Sequence, residues 1–279
     1  MGRVEGKVAL ITGAARGQGR SHAIRLAEEG ADIIAIDICD QVASADHTMG
    51  TEEDLQETVV LVEKLDRRIV AIKADVRDRS ALESAVAEGV AELGRLDIVS
   101  ANAGIASTGP IVGLPEQTWQ DVIDIDLTGV FHTVNAAVPH IVAGGRGGSI
   151  VLTSSAAGAA GVQNLGHYVA AKHGVLGLMK SLALELGPQF IRVNSVLPTN
   201  VDTPMIQNET VMKLFMPHLE HPSRADAEKP DSNYRAANVL PIPWVDSIDI
   251  SNAVLYLASD ESRYVTGIAL PVDAGFLIK

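Results

Sequence analysis

The sequence predicts an α/β fold, a single doubly wound Rossmann-type domain around a seven-stranded parallel sheet. Three observations carry this. Short runs rich in Val, Ile and Ala alternate with amphipathic stretches along the chain, the rhythm of repeated β-α units. Those runs are nearly continuous in apolar residues, which is what strands covered by helices on both faces require. The first run ends in a glycine-rich turn that opens a helical stretch, the usual entrance of a dinucleotide-binding unit.

Strands are expected at residues 7–12, 32–37, 68–73, 98–101, 149–153, 192–197 and 268–272, with helices between them. The stretch 168–186 is apolar on much of its circumference and has few helix breakers. It is expected to pack on the sheet with one side and on a neighbouring subunit with the other. Two segments break the rhythm. Residues 38–51 separate the second strand from a helix opening near Glu52, and they exceed the usual connection of about 2–6 residues. Residues 200–245 are longer still, proline-rich and charged, yet they carry Met205, Met212, Leu214, Phe215, Met216 and Trp244. They read as a substrate lid with an apolar underside. No linker, internal repeat or second domain is visible across residues 1–279.

Composition narrows the function. With 47% hydrophobic and 20% charged residues, the chain is neither a disordered polymer nor collagen-like. A net charge of −13 suits neither phosphate backbones nor nucleic-acid recognition. There is no basic leader followed by an apolar run, and no apolar stretch long enough for a membrane span. A single cysteine, Cys39, forms neither an internal disulfide nor a multi-cysteine metal site, so a cytoplasmic location is expected. The eight histidines form no metal-ligating pattern and are expected at surface or packing positions. No metal is expected.

The turn after the first strand reads Thr12-Gly13-Ala14-Ala15-Arg16-Gly17-Gln18-Gly19. Closely spaced glycines there let the backbone approach a pyrophosphate, whose charge meets free amides at a helix N-terminus. No lysine follows Gly17 as a nucleoside triphosphate loop would need. Asp37, at the end of the second strand, lies 18 residues past Gly19. A carboxylate there accepts hydrogen bonds from an adenosine ribose and repels a 2′-phosphate, which selects NAD over NADP. Arg16 complicates this, because it could bind a 2′-phosphate or pair with Asp37. Asp75-Val76 and Asn102-Ala103-Gly104 stand at the carboxyl ends of the third and fourth strands, where open α/β sheets hold ligands.

Ser155 follows the fifth strand, with Tyr168 and Lys172 further on. Four residues apart on a helix, Tyr168 and Lys172 share a face. An ammonium beside a phenol lowers its pKa from about 10 and makes it a general base. Ser155 would hydrogen-bond the reacting oxygen, and its surroundings lack the G-x-S-x-G elbow of a hydrolase. His167 adjoins Tyr168 but is expected on another face. Asn194 is expected to serve backbone geometry, Cys39 packing, and Met205 and Phe215 contact with an apolar substrate.

Taken together, TGAARGQG at 12–19, DV at 75–76, NAG at 102–104, SS at 154–155, YVAAK at 168–172, RVNSVLP at 192–198 and YVTGIALPVDAG at 264–275 resemble the short-chain dehydrogenase/reductase family across essentially the whole chain. The resemblance implies a homotetramer in which Tyr168 is the acid/base. It also implies that Lys172 binds the nicotinamide ribose and tunes Tyr168, and that Ser155 orients the substrate oxygen. Val201 and Thr203 would contact the nicotinamide carboxamide or pyrophosphate, beside Pro198, and Ile38 would extend the adenosine site from Asp37. Where most relatives carry Asn as a fourth catalytic member, this chain has Asp126.

IDICDQ at 36–41, PTNVDTPMIQN at 198–208 and PIPWVDSIDISNAVLYLASDESRYVTG at 241–267 further resemble the carveol-dehydrogenase-like, mycofactocin-associated branch. That branch implies an insertion that covers bound NAD, slow cofactor exchange, an external redox carrier and a terpene-like secondary alcohol. The alternatives are an ordinary NAD(P)-linked ketone reductase with freely exchanging cofactor and a non-catalytic NAD-binding protein.

Overall fold

In a computed structural model, which describes residues 2–279, seven parallel strands form one sheet. They are β1 (Val8–Thr12), β2 (Asp32–Asp37), β3 (Ile69–Lys73), β4 (Ile98–Ala101), β5 (Gly148–Thr153), β6 (Ile191–Pro198) and β7 (Ala269–Val272). Their spatial order is β3-β2-β1-β4-β5-β6-β7, so the chain reverses direction across the sheet between β1 and β4. At such a switch point the loops diverge and leave a crevice at the strands' carboxyl ends.

The crossovers are α1 (Gly17–Glu28), α2 (Glu52–Glu63), α3 (Arg79–Leu93), α4 (Glu116–Ile123), α5 (Gly129–Gly144) and α6 (Gly166–Leu186). After β6 come α7 (Glu209–Phe215), α8 (Arg224–Ala227), α9 (Asn233–Ala236) and α10 (Ser247–Ala258). Alternation along the strands divides the core in two. Leu10, Ile34, Val99 and Ile150 face α3, α5 and α6 through Leu82, Val86, Val134, Val175 and Met179. Ala9, Ile11, Ile33 and Val151 face α1 and α10 through Ala23, Leu26, Val254 and Leu257.

Seven predicted strands correspond to seven observed, with ends moved by about a residue. The expectation of burial on both faces holds for β1, β4 and β5 but fails at the edges. Residues of β3 and β7 are part-buried or exposed, because an edge strand has a neighbour on one side only.

Local chemistry places the helix ends. Thr51 and Asp54 form a reciprocal capping box that ends the 38–51 segment and starts α2. Asp78 caps α3, which stops at Gly94 with φ 85°. Between α4 and α5 the helical run passes through a π-helical turn, Asp124–Thr128. Such turns commonly mark functional sites.

Segment 38–51 contains no helix or strand. In segment 200–245 the expectation of one apolar underside is only partly right. Met212, Met216, Ala227, Tyr234 and Trp244 bury one another in a small core of that segment's own. No described helix is long and apolar enough to cross a membrane. No cluster of metal-ligating side chains occurs among the described residues.

Candidate active site

Thr12 stitches the switch point: its side-chain oxygen accepts the amides of Asn102 and Ala103 at 3.1 and 3.2 Å, and its carbonyl accepts the Asn102 side-chain amide at 3.1 Å. The two strand ends thus form the floor of a cleft. Gly13 has φ 68°, and a Cβ there would lie 2.9 Å from Ala103 Cα; a Cβ on Gly19 would lie 1.9 Å from the Gly13 carbonyl oxygen. Only glycine fits at either position, which leaves the amide-lined start of α1 open to a phosphate.

Gly13, Arg16, Gly17, Gln18, Gly19, Asp37, Ile38, Asp75, Val76, Asn102, Ala103, Gly104 and Thr203 all line this one cleft. Asp37 is oriented by two backbone amides, from Ala15 at 2.9 Å and Cys39 at 3.0 Å. Among the described residues the alternative pairing of Asp37 with Arg16 is not formed; each carboxylate oxygen accepts one backbone amide and keeps a free lone pair for a ligand. Arg16 is half-buried, and burial draws its guanidinium below the ordinary value. Asp75 shares its carboxylate with Arg77. Val42, His47, Met49 and Gly50 also line the cleft. Sequence reasoning did not single them out, although they sit in the segment that starts directly after Asp37.

The cleft's own atoms fit a dinucleotide. Gln18 Oε1 and His47 Nδ1 are buried without a hydrogen-bond partner, polar groups that a bound cofactor could satisfy. Burial keeps His47 neutral, its pKa drawn down to about 4 with help from Arg16.

A second cleft continues from the first and shares Gln18, Asn102, Gly104, Thr203 and Met205 with it. Its polar end holds Asp126, Ser155, Tyr168 and Lys172, with Pro198 and Val201 beside them. Its walls are Val162, Leu165, Met205, Ile206, Leu214, Phe215 and Phe276. Phe276 follows β7 near the end of the chain, and no sequence pattern signalled it.

Lys172 is buried, its ammonium 5.4 Å from the centre of the Tyr168 ring. It donates to the Thr153 carbonyl at 3.2 Å and pairs with Asp126 at 3.0 Å. Asp126 is fully buried on the π-helical turn and accepts the Ile105 amide at 2.9 Å. Burial pushes the Asp126 carboxyl above its ordinary value against the pull of Lys172 and the Ile105 amide, while Asp126 raises the lysine's pKa above its own ordinary value despite burial.

The expectation that Lys172 brings the Tyr168 phenol below its ordinary pKa is corrected. Burial pushes the phenol up; Lys172 pulls it down, Asp126 pushes it up again and Ser155 pulls it down, and the sum is a raised value. His167 takes a packing position. It is fully buried, with its Nε2 2.7 Å from Ser107 Oγ. Asn194 bridges the backbone of Val265 and Ile268, as its expected role requires.

Fold and cleft together point to a dinucleotide-dependent oxidoreductase. Residues 7–213 match the short chain dehydrogenase family, and the chain belongs to that family. It is 58% identical, over all of both chains, to a (−)-trans-carveol dehydrogenase of Rhodococcus erythropolis. It is 38% identical to a trans-4-hydroxycyclohexanecarboxylate dehydrogenase of Sinomonas cyclohexanicum, over 98% of this chain and 93% of that protein. A crystal structure of carveol dehydrogenase from Mycobacterium avium in complex with NAD superposes with a TM-score of 0.97, at 60% identity and full coverage of both chains.

Proposed function

We propose that the protein is an NAD-dependent dehydrogenase that converts apolar, ring-shaped secondary alcohols of terpene type into ketones. The observation that carries this reading is the join between the two clefts. Ser155, Tyr168 and Lys172 stand where a glycine-floored dinucleotide cleft meets a pocket walled by aliphatic and aromatic side chains. The named substrates of two relatives are ring alcohols, which suits such walls.

The cofactor is NAD. Asp37 lines the first cleft, where its carboxylate would accept the hydroxyls of an adenosine ribose and repel a 2′-phosphate. When bound, NAD accepts a hydride from the carbinol carbon. Tyr168 takes the hydroxyl proton, so one alcohol yields one ketone, one NADH and one proton. Ser155 holds the reacting oxygen, and Lys172 places positive charge beside the phenol and holds the nicotinamide ribose. On the chain's own groups the neutral phenol is favoured. Ketone reduction therefore proceeds readily at neutral pH, and alcohol oxidation accelerates as pH rises.

Residues 38–51 act as a cover over the cofactor and residues 200–245 as a lid over the substrate. Val42, His47 and Met49 roof the first cleft, and Met205, Leu214 and Phe215 close the second. The cover slows NAD exchange, so an external redox carrier re-oxidises the cofactor in place. The enzyme works in the cytoplasm, where the buried thiol of Cys39 stays free, and it assembles as a homotetramer.

Denaturing the purified protein should release NAD, and added labelled NAD should exchange slowly into the native enzyme. Release of NADP, or an empty protein that exchanges freely, would overturn the reading. Tyr168→Phe should lower turnover of carveol by about 10²–10⁴-fold while leaving bound NAD in place, as measured by initial rates and cofactor content.

A further inference from the structure

The cover segment reaches beyond the cofactor. At its far end the Asp46 amide donates to the Ala106 carbonyl at 3.1 Å, and the Asp46 carboxylate accepts the Thr108 amide at 2.7 Å. Residues 106–108 are thus gripped from both sides by one residue. The strip they belong to touches Asp126 at one point and, at another, His167 beside Tyr168. Ile105 donates its amide to Asp126 at 2.9 Å, and Ser107 meets the buried His167 ring at 2.7 Å. There is little slack between strip and ion pair: a Cβ on Gly104 would lie 3.1 Å from Asp126 Oδ2 and 3.4 Å from Lys172 Nζ.

We propose that Asp46 is a positioning residue for the catalytic set: by fixing residues 106–108 it holds the Ile105 amide on Asp126 and so sets how strongly Asp126 engages Lys172 beside Tyr168. This rests on the proposed function for the role of Tyr168. A hydrogen bond from an amide favours the charged form of a carboxylate. If the strip shifts, Asp126 loses that bond, its carboxyl, already pushed up by burial, binds a proton more readily, and its push on the phenol weakens. The charged and titratable groups around Asp126 are Lys172, Tyr168 and His167 from α6, and Asp46 lies near enough to act on His167. The cover therefore tunes proton transfer as well as holding the cofactor.

The test reads the ionisation of Tyr168 directly, as the tyrosinate ultraviolet difference between NAD-loaded enzyme and its Tyr168→Phe variant across pH. In an Asp46→Ala background the midpoint should fall by about half a unit or more. Asp46→Asn retains an acceptor for the Thr108 amide and should keep most of the parent midpoint. In an Asp126→Asn background, Asp46→Ala should add no further shift. The proposal is overturned if Asp46→Ala leaves the midpoint in place, even with faster NAD exchange. It is also overturned if Asp46→Asn shifts it as far as Ala, or if the shift persists without Asp126, since either result marks a direct charge effect. No substrate is needed, so a parent enzyme inactive on carveol would count against the proposed function alone.

Discussion

Asp126 sets a carboxyl beside Lys172 and Tyr168, and it works against the deprotonated form of Tyr168. Buried, with its carboxyl pushed above the ordinary value by desolvation, it pairs with Lys172 at 3.0 Å and raises the phenol. An amide at the same place would leave Lys172 free to favour the phenolate. The sign follows from the proposed role of Tyr168: oxidation would need the phenol deprotonated, so its rate should rise as pH passes upward through the phenol's pKa, and removing Asp126 should move that rise to lower pH. Asp126→Asn should shift the alkaline rise of kcat for alcohol oxidation down by about one unit, as read from pH–rate profiles in both directions. An unchanged profile would remove Asp126 from the control of Tyr168. The residue types of this site were legible in the sequence, because Tyr168, Lys172 and Ser155 have family-typical spacing. The sign of the phenol's shift was not, because burial is a property of the folded surroundings and outweighed the lysine.

Among the elements, the two irregular segments behave differently for a local reason. Segment 38–51 is tied down by polar contacts to its surroundings. Ser44 donates to Asp121 at 2.5 Å, and Asp46 grips residues 106–108. Segment 200–245 instead builds a small core of its own around Tyr234 and Trp244. Arg224 latches it down: it donates to both oxygens of Asp202 at 2.8 and 2.7 Å and lies 4.7 Å above the Trp244 ring. Asp202 is the neighbour of Val201 and Thr203, so the latch connects the lid to the loop at the junction of the clefts. Arg224→Ala should raise KM for carveol about fivefold, the loss of roughly 1 kcal/mol of stacking and pairing at an exposed site. It should leave NAD content unchanged; initial rates and cofactor assay check both. The irregularity and apolar content of segment 200–245 were readable from its length and its methionines. Which of those side chains turn inward to one another and which face the substrate depends on how α7, α8 and α9 fold back, and no periodicity encodes that.

For the whole molecule, the outer stripe of α6 is the feature that a single subunit leaves unused. Ala170, His173, Gly177, Ser181 and Leu184 lie exposed along it, and Leu184 is 82% exposed. Small side chains there allow another helix to approach closely, in keeping with the proposed homotetramer. Leu184→Glu should shift the assembly toward smaller species in light scattering after size exclusion, with NAD still bound; an unaltered mass would place the contact elsewhere. The sequence by itself determined the parallel sheet, the glycine floor of the dinucleotide cleft and the Tyr168–Lys172 face. Apolar runs, positive-φ glycines and helical spacing are local properties that need no knowledge of distant neighbours. Only the tertiary structure decided that Phe276 lines the second cleft, that Asp37 takes two backbone amides rather than Arg16, and that Asp46 reaches the strip beside Asp126. Each of these depends on segments far apart in the chain arriving within a few ångströms of one another, and burial then set the charges of the groups they enclose.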